Sequence, residues 1–295
     1  PTAEELAARE IETILSSLTL EEKVGQLFFV RVPDTDAVSD VSTYHLGGYI
    51  LFGRDTADKT ADALIQTIQS YQDAAAVDTG IPLLIGVDEE GGTVSRIGGT
   101  EGFGIESVGD MSAVGATGDT AYAKEVATNI GAYLTELGFN VDFAPDADVA
   151  NNPDSDTMAL RSFGTAGSEV APFVKAQVEG FTDAGILSCA KHFPGIGGAE
   201  GDSHEVSIYS HKTLDEMAQD ELLPFQAAIE ADVPFIMVGH LSTPEATGND
   251  TPASINSAII TDVLREQLGY DGIVITEHGR RKRTLHRKRG CCARY

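Results

Sequence analysis

Short, wholly apolar runs alternate with amphipathic stretches along most of the chain. The runs are GQLFFVRV, GGYILFG, IPLLIGV, GFNVDFAP, GILSCA, PFIMVGH and GIVIT. Apolar residues at successive positions read as strands buried on both faces, the pattern of a parallel sheet covered by helices. The intervening stretches DTAYAKEVATNIGAYLTEL, SEVAPFVKAQVEGFTDA, DEMAQDELLPFQAAIEA and NSAIITDVLREQL repeat their apolar residues at helical spacing. Regular alternation of the two predicts an α/β fold with a parallel sheet. In ELGFNV, DAGILS and QLGYDG a glycine stands just before the next strand. Glycine there ends a helix by adopting the left-handed conformation. Residues 2–27 read as helical, with Thr19 and Glu22 spaced as a capping box. Seven strands are predicted where a (β/α)8 TIM barrel has eight. The expected architecture is therefore a barrel incomplete at its C-terminal side: one domain over residues 1–277, followed by a separate tail, 278–295.

Composition adds a charge argument. The chain has 295 residues, 42% of them hydrophobic and 22% charged, enough to bury a sizeable core. Its formal charge is −26, but eight of the 20 basic residues fall in 278–295, leaving the body with 12 basic residues against 46 acids, a net of −34. Such a body repels nucleic acid and anionic membranes and suits a neutral or cationic substrate. Three cysteines make no disulfide framework, and no apolar run reaches membrane-spanning length. The acidic surface leans towards a secreted or cell-envelope setting. Oligomeric state is not legible.

Polar residues cluster where the predicted strands end. YILFG is followed by Arg54 and Asp55, LLIGV by Asp88, Glu89 and Glu90, and NVDFA by Asp146 and Asp148. ILSCA is followed by Lys191 and His192, FIMVG by His240, and GIVIT by Glu277. Strand ends of one polarity share a face in an α/β barrel, and that face carries the active site. Loops are wet in any case, which accounts for one or two of these residues but less well for a Lys–His pair. Three stretches carry the most chemistry. In VDEEGGTVSRIGG, Asp88 offers paired acceptors for hydroxyl groups, and Arg96 lies eight residues on. The stretch lacks the Lys-Ser/Thr of a phosphate loop. In MALRSFG, Arg161 offers a rigid fork of donors, although in isolation a surface arginine paired to an acid explains it better. In KHFPGIGGAEGDSHEV, a glycine-rich loop follows Lys191 and His192 and delivers Asp202 and His204, an arrangement suited to proton transfer. The spacing of His192, Asp202 and His204 matches no standard metal motif, so acid–base chemistry ranks above a metal centre.

At these residues the sequence resembles glycoside hydrolase family 3, on its β-N-acetylglucosaminidase side. The matching segments are LTLEEKVGQLF, GGYILFGRD, IPLLIGVDEEGGTVSR, GFNVDFAPDADVANNP, RSFG, KHFPGIG with DSH, and LREQLGYDGIVIT, in family order from about Leu18 to Thr276. The resemblance implies a (β/α)8 barrel and removal of terminal β-linked N-acetylhexosamine with retention, from a glycan or cell-wall fragment. It implies no cofactor and no metal. It places Asp88, Arg96, Arg161, Lys191 and His192 in the sugar pocket, with His204 as general acid/base assisted by Asp202. A retaining mechanism also needs a carboxylate nucleophile. The family has Asp one step past the strand ending in VIT, whereas this chain has Glu277. A non-catalytic sugar-binding protein keeping the same pocket is the alternative.

The family pattern stops at Glu277, and HGRRKRTLHRKRGCCARY follows. A nucleic-acid-binding arm fits its composition but not the acidic body. A disordered extension is the plain reading. The third, which the abrupt break favours, is a shift of reading frame: RGCCARY can be encoded by codons that give EAAARA one nucleotide later. The gene sequence across codon 277 decides between them.

Overall fold

The computed structural model of the chain describes residues 2–153, 156–199 and 208–277, and the tail 278–295 lies outside the described residues. Seven strands form one sheet: β1 (Phe29–Arg31), β2 (Gly48–Leu51), β3 (Leu84–Val87), β4 (Val141–Asp142), β5 (Leu187–Phe193), β6 (Phe235–Val238) and β7 (Ile273–Thr276). Their spatial order is their chain order, β1 to β7, and every neighbouring pair is parallel. A sheet wound in one direction with helical crossovers curls towards a barrel. Six of the seven strands fall within the apolar runs read from sequence, and β5 begins in GILSCA but runs on through Lys191, His192 and Phe193.

Alternation along each strand splits the core in two. Phe29, Ile50, Leu84, Val141, Phe143, Cys189, Phe235, Met237 and Ile275 pack together on the inner face. Tyr49, Ile85, Val87, Ala190, Ile236 and Val238 turn outward into the layer of helices. Strands buried on both sides have no polar face, which is why their sequences show no alternation. Inside the curl, a Cβ on Gly86 would lie 2.7 Å from the Phe143 ring and 2.8 Å from the Phe29 ring. Those two rings meet edge to face, with centroids 5.2 Å apart, so the missing side chain on β3 makes room for both.

The helices Thr120–Glu136 and Ala258–Gln267 (the latter wound as a π-helix) lie within predicted stretches, and Gly167–Asp183 begins one residue before its own. The three glycines expected to end helices, Gly138, Gly185 and Gly269, have φ of 96°, 76° and 71°. Two stretches divide more finely than their periodicity suggests. Leu214–Ala218 and Leu222–Glu230 are separate helices, as are Ala3–Ser17 and Leu20–Gly25. The N-terminal break comes from Thr19: its hydroxyl accepts the Glu22 N–H at 3.2 Å, and the Glu22 carboxylate accepts the Thr19 N–H at 2.6 Å. This capping box starts a second helix and leaves Leu18 extended.

Among the described residues β1 and β7 do not pair, so the barrel is incomplete. The two edge strands are also the least covered: Phe28, just before β1, and Ile273 in β7 are each 54% exposed. Beside β1, Val24, Phe28, Val30, Tyr44 and Leu46 line a largely apolar groove of about 750 Å³.

Candidate active site

The three acids after β3 have three different surroundings. Glu89 is fully buried and accepts five hydrogen bonds: from the Ser95 hydroxyl (2.6 Å), the Arg96, Ile97 and Gly98 N–H groups (2.6, 3.0 and 2.8 Å) and the Tyr133 hydroxyl (2.8 Å). Its carboxylate is the template on which residues 89–98 fold. Asp88 and Glu90 point elsewhere, to the ammonium of Lys191 in β5. Lys191 Nζ lies 2.7 Å from Asp88 Oδ1 and 2.6 Å from Glu90 Oε1. Glu90 also receives both arms of Arg161, Nε to Oε2 and Nη2 to Oε1, each at 2.8 Å. The Arg161 Nη2 then reaches Asp146 Oδ2 at 3.0 Å.

The result is a ladder of alternating charge: Asp88, Lys191, Glu90, Arg161, Asp146. Burial alone would discharge Glu90, but the Lys191 ammonium and the Arg161 guanidinium outweigh it and hold the carboxyl below the usual range. Burial likewise disfavours the charged Lys191 and Arg161, and the facing carboxylates reverse this and raise both. Of the ladder's side chains Asp88 is the most open, at 17% exposure, so it is the acceptor placed to meet a ligand.

His192, next to Lys191, is held by a further acid. The β5–β6 register shifts between Lys191 and Phe193, and such a bulge re-aims side chains that strict alternation would send to opposite faces. His192 Nδ1 lies 2.7 Å from Asp148 Oδ2, and Asp148 Oδ1 accepts the Ile196 N–H at 2.6 Å. Burial opposes the charge on both partners, but their mutual hydrogen bond wins, so the Asp148 carboxyl is lowered and the His192 imidazolium raised. An Asp thus orients an imidazole here, although the sequence suggested that relation for Asp202 and His204. Both of those lie outside the described residues.

Ligand atoms of Asp146, Asp148 and His192 come within 4.8 Å of one another. They are already engaged: Asp148 on His192 and Ile196, and Asp146 on Arg161 and on the Asp148 N–H at 2.9 Å. Burial, offset in part by Arg161, pushes the Asp146 carboxyl up to about 7 from its usual 3.8. Between those values the folded protein holds a proton that the unfolded chain releases. This group's contribution to stability is therefore complete below pH 3.8 and lost as pH rises towards 7. Urea titrations at pH 4.5 and 7.5 check this. Asp146→Asn is expected to gain at least about 1 kcal/mol relative to the parent on going to the higher pH, whereas a pH-independent difference would refute the assignment.

Two further predicted residues take different positions. Arg96 stands apart from the ladder: its Nη1 donates to the Ser95 carbonyl at 3.1 Å, and its Cδ lies 3.6 Å from where a Gly53 Cβ would be. Glu277 continues the β7–β6 ladder, its N–H donating to Val238 O at 3.0 Å. Gly239 lies between Glu277 and His192. A Cβ there would sit 3.3 Å from His192 Cβ and 3.6 Å from Glu277 Oε2, so the glycine keeps the space between them clear. The fork of Arg161 is not on the surface but 12% exposed and paired twice. Asp88, Lys191, Arg161 and His192 thus converge, joined by Glu90, Asp146 and Asp148, which the sequence placed at strand ends without giving them a role. The signal for Asp146 and Asp148 was their position immediately after NVDFA.

The glycosyl hydrolase family 3 N-terminal domain matches residues 19–290. Over 254 residues the chain is 35% identical to the β-hexosaminidase LpqI of Mycobacterium tuberculosis, an alignment covering 86% of this chain and 62% of that protein. It is 36% identical to β-hexosaminidase A of Pseudoalteromonas piscicida, over 80% of this chain and 41% of that one. The chain therefore spans less than two thirds of these relatives. Among solved structures, a family 3 β-N-acetylglucosaminidase from Paenibacillus sp. str. FPU-7 superposes with a TM-score of 0.82 at 37% identity, covering 88% of this chain and 49% of that one. The β-N-acetylhexosaminidase from Beutenbergia cavernae gives 0.76 at 29% identity, over 88% and 78%. With its singly wound parallel sheet and its charged strand ends, the chain belongs to glycosyl hydrolase family 3.

Proposed function

We propose that residues 1–277 form the catalytic unit of a retaining glycoside hydrolase that removes terminal β-linked N-acetylhexosamine from a glycan or cell-wall fragment. The observation that carries this reading is the charge ladder ending in Asp88, with the His192–Asp148 pair next to it and Glu277 on the other side of Gly239 from His192. A neutral sugar offers hydroxyl donors and acceptors. Asp88 accepts from hydroxyls, while Lys191, Arg161 and His192 present donors whose charges are balanced within the protein. Arg96 belongs to the same pocket in the family pattern. Glu277 attacks the anomeric carbon, His204 protonates the departing oxygen with Asp202 behind it, and water then releases the sugar with retention. Glu277 carries one methylene more than the family's Asp, enough to displace the attacking oxygen by about 1 Å and to slow the step on the order of a hundredfold.

The test is an aryl β-N-acetylglucosaminide incubated with the chain and followed by proton NMR. Slow turnover giving first the β-anomer is expected. Binding of N-acetylglucosamine without turnover would favour a sugar-binding protein, the reading that the Glu at position 277 supports. Neither binding nor turnover would dispose of both.

A further inference from the structure

One cation at the strand ends has no place in the charge ladder. Arg31 is the last residue of β1. Phe29 in β1 and Ile50 in β2 lie on the inner face of the sheet, so Arg31 and Phe52, each two residues further along, share that face. Their contact agrees with this parity: the Arg31 guanidinium carbon lies 5.2 Å from the centre of the Phe52 ring. Arg31 is in register with Ile50, and Ile50 with Gly86, two residues before Asp88. Two strand spacings, about 10 Å, therefore separate Arg31 from the strand that leads to Asp88.

Arg31 differs from Lys191 and Arg161 in having no counter-charge. Among the described residues its guanidinium makes no hydrogen bond or ion pair, and its Nε is buried. The acids that follow β1 and β2 are engaged elsewhere: Asp34 and Asp55 both pair with Arg54, and Asp55 also accepts the Phe52 N–H at 2.8 Å. A buried donor without an acceptor costs free energy, and more so when it carries charge. Stacking on Phe52 offsets part of that cost and fixes the plane of the fork, leaving its edge for a planar oxyanion. Arg31 as a whole is half-buried and borders the groove beside β1, so a ligand can approach it from solvent.

We propose that Arg31, held flat by Phe52, is a specificity-determining residue that binds a carboxylate carried by the glycan. The proposal deepens the function given above and rests on it. The neutral terminal sugar is met by groups whose charges the protein already balances. An unbalanced fork calls instead for an anion, and parallel bonds from Nε–H and Nη–H suit a carboxylate. The separation from the strand of Asp88 assigns that carboxylate to the sugar next to the terminal one. Against a body of net −34, a single cation attracts an anion only at short range, which confines recognition to this point.

Calorimetric titration of the full chain with two disaccharides tests this. N-acetylglucosaminyl-β-1,4-glucuronic acid and its glucuronamide differ only at the carboxylate. The acid is expected to bind about tenfold tighter than the amide, with the preference shrinking at high salt. Arg31→Leu should abolish the preference while N-acetylglucosamine binding and the urea midpoint stay near the parent's. Arg31→Gln gives the same comparison should Arg31→Leu not fold. Arg31→Lys keeps the charge without the fork and should retain only part of the preference. Equal affinity for acid and amide in the parent, or a preference that survives the loss of the guanidinium, overturns the proposal. A parent chain that binds neither disaccharide nor N-acetylglucosamine is a failure of the proposed function, and this inference falls with it.

Discussion

Glu277→Asp is expected to raise turnover of an aryl β-N-acetylglucosaminide by on the order of a hundredfold. The backbone at this position is fixed, because the Glu277 N–H is bonded to Val238 O at 3.0 Å in register with the β6–β7 pairing. Shortening the side chain therefore withdraws the carboxylate by one methylene rather than moving the strand. Gly239 leaves the space between Glu277 and His192 open, so the shorter side chain meets no obstruction. Glu277→Gln keeps the volume and removes the nucleophile, and should leave N-acetylglucosamine binding intact while abolishing turnover. An Asp variant no faster than the parent would remove Glu277 from the nucleophile's place.

Lys191→Met is expected to cost about 3–5 kcal/mol of stability and to abolish sugar binding. The Lys191 side chain is 3% exposed and its ammonium is shared by Asp88 and Glu90. Methionine fills similar space but leaves Glu90 buried with Arg161 as its remaining cation. Asp88 is open enough to recover some hydration, so the loss falls mainly on Glu90. Urea denaturation measures it, and a loss under about 1 kcal/mol would mean that the ladder does not act as a unit. Lys191→Arg is not a conservative control, because a planar fork cannot place one nitrogen between two carboxylates as an ammonium does.

Much of the fold was legible because its strands are buried on both faces. Runs such as PFIMVGH and GILSCA have no solvent-facing side to interrupt them, and the glycines at 138, 185 and 269 mark where helices hand over to strands. The division of the N-terminal helix at Leu18 was half legible: the Thr19–Glu22 box was visible, but not that it would start a new helix. Within the site, Asp88 could be found because it follows its strand directly, and Lys191 and His192 because they interrupt the apolar run of theirs. The separate fates of Asp88, Glu89 and Glu90 could not, since they depend on which carboxylate meets Lys191 and which meets the 95–98 backbone. Arg161 is ambiguous in sequence for a similar reason. Nothing within MALRSFG reveals that its partners lie 71 residues earlier, at Glu90, and at Asp146. The resemblance to a family supplied the roles of Asp202 and His204, which lie outside the described residues.

The central claim, that this pocket forms a covalent glycosyl intermediate through Glu277, is tested most directly by trapping it. A fluorinated N-acetylglucosaminyl fluoride slows release of the sugar more than its attachment, so the intermediate accumulates. After digestion, mass spectrometry of the chain should find one N-acetylhexosamine-derived adduct, on the peptide containing Glu277. A labelled peptide elsewhere, or none while the Glu277→Asp form labels at no position either, would contradict the account.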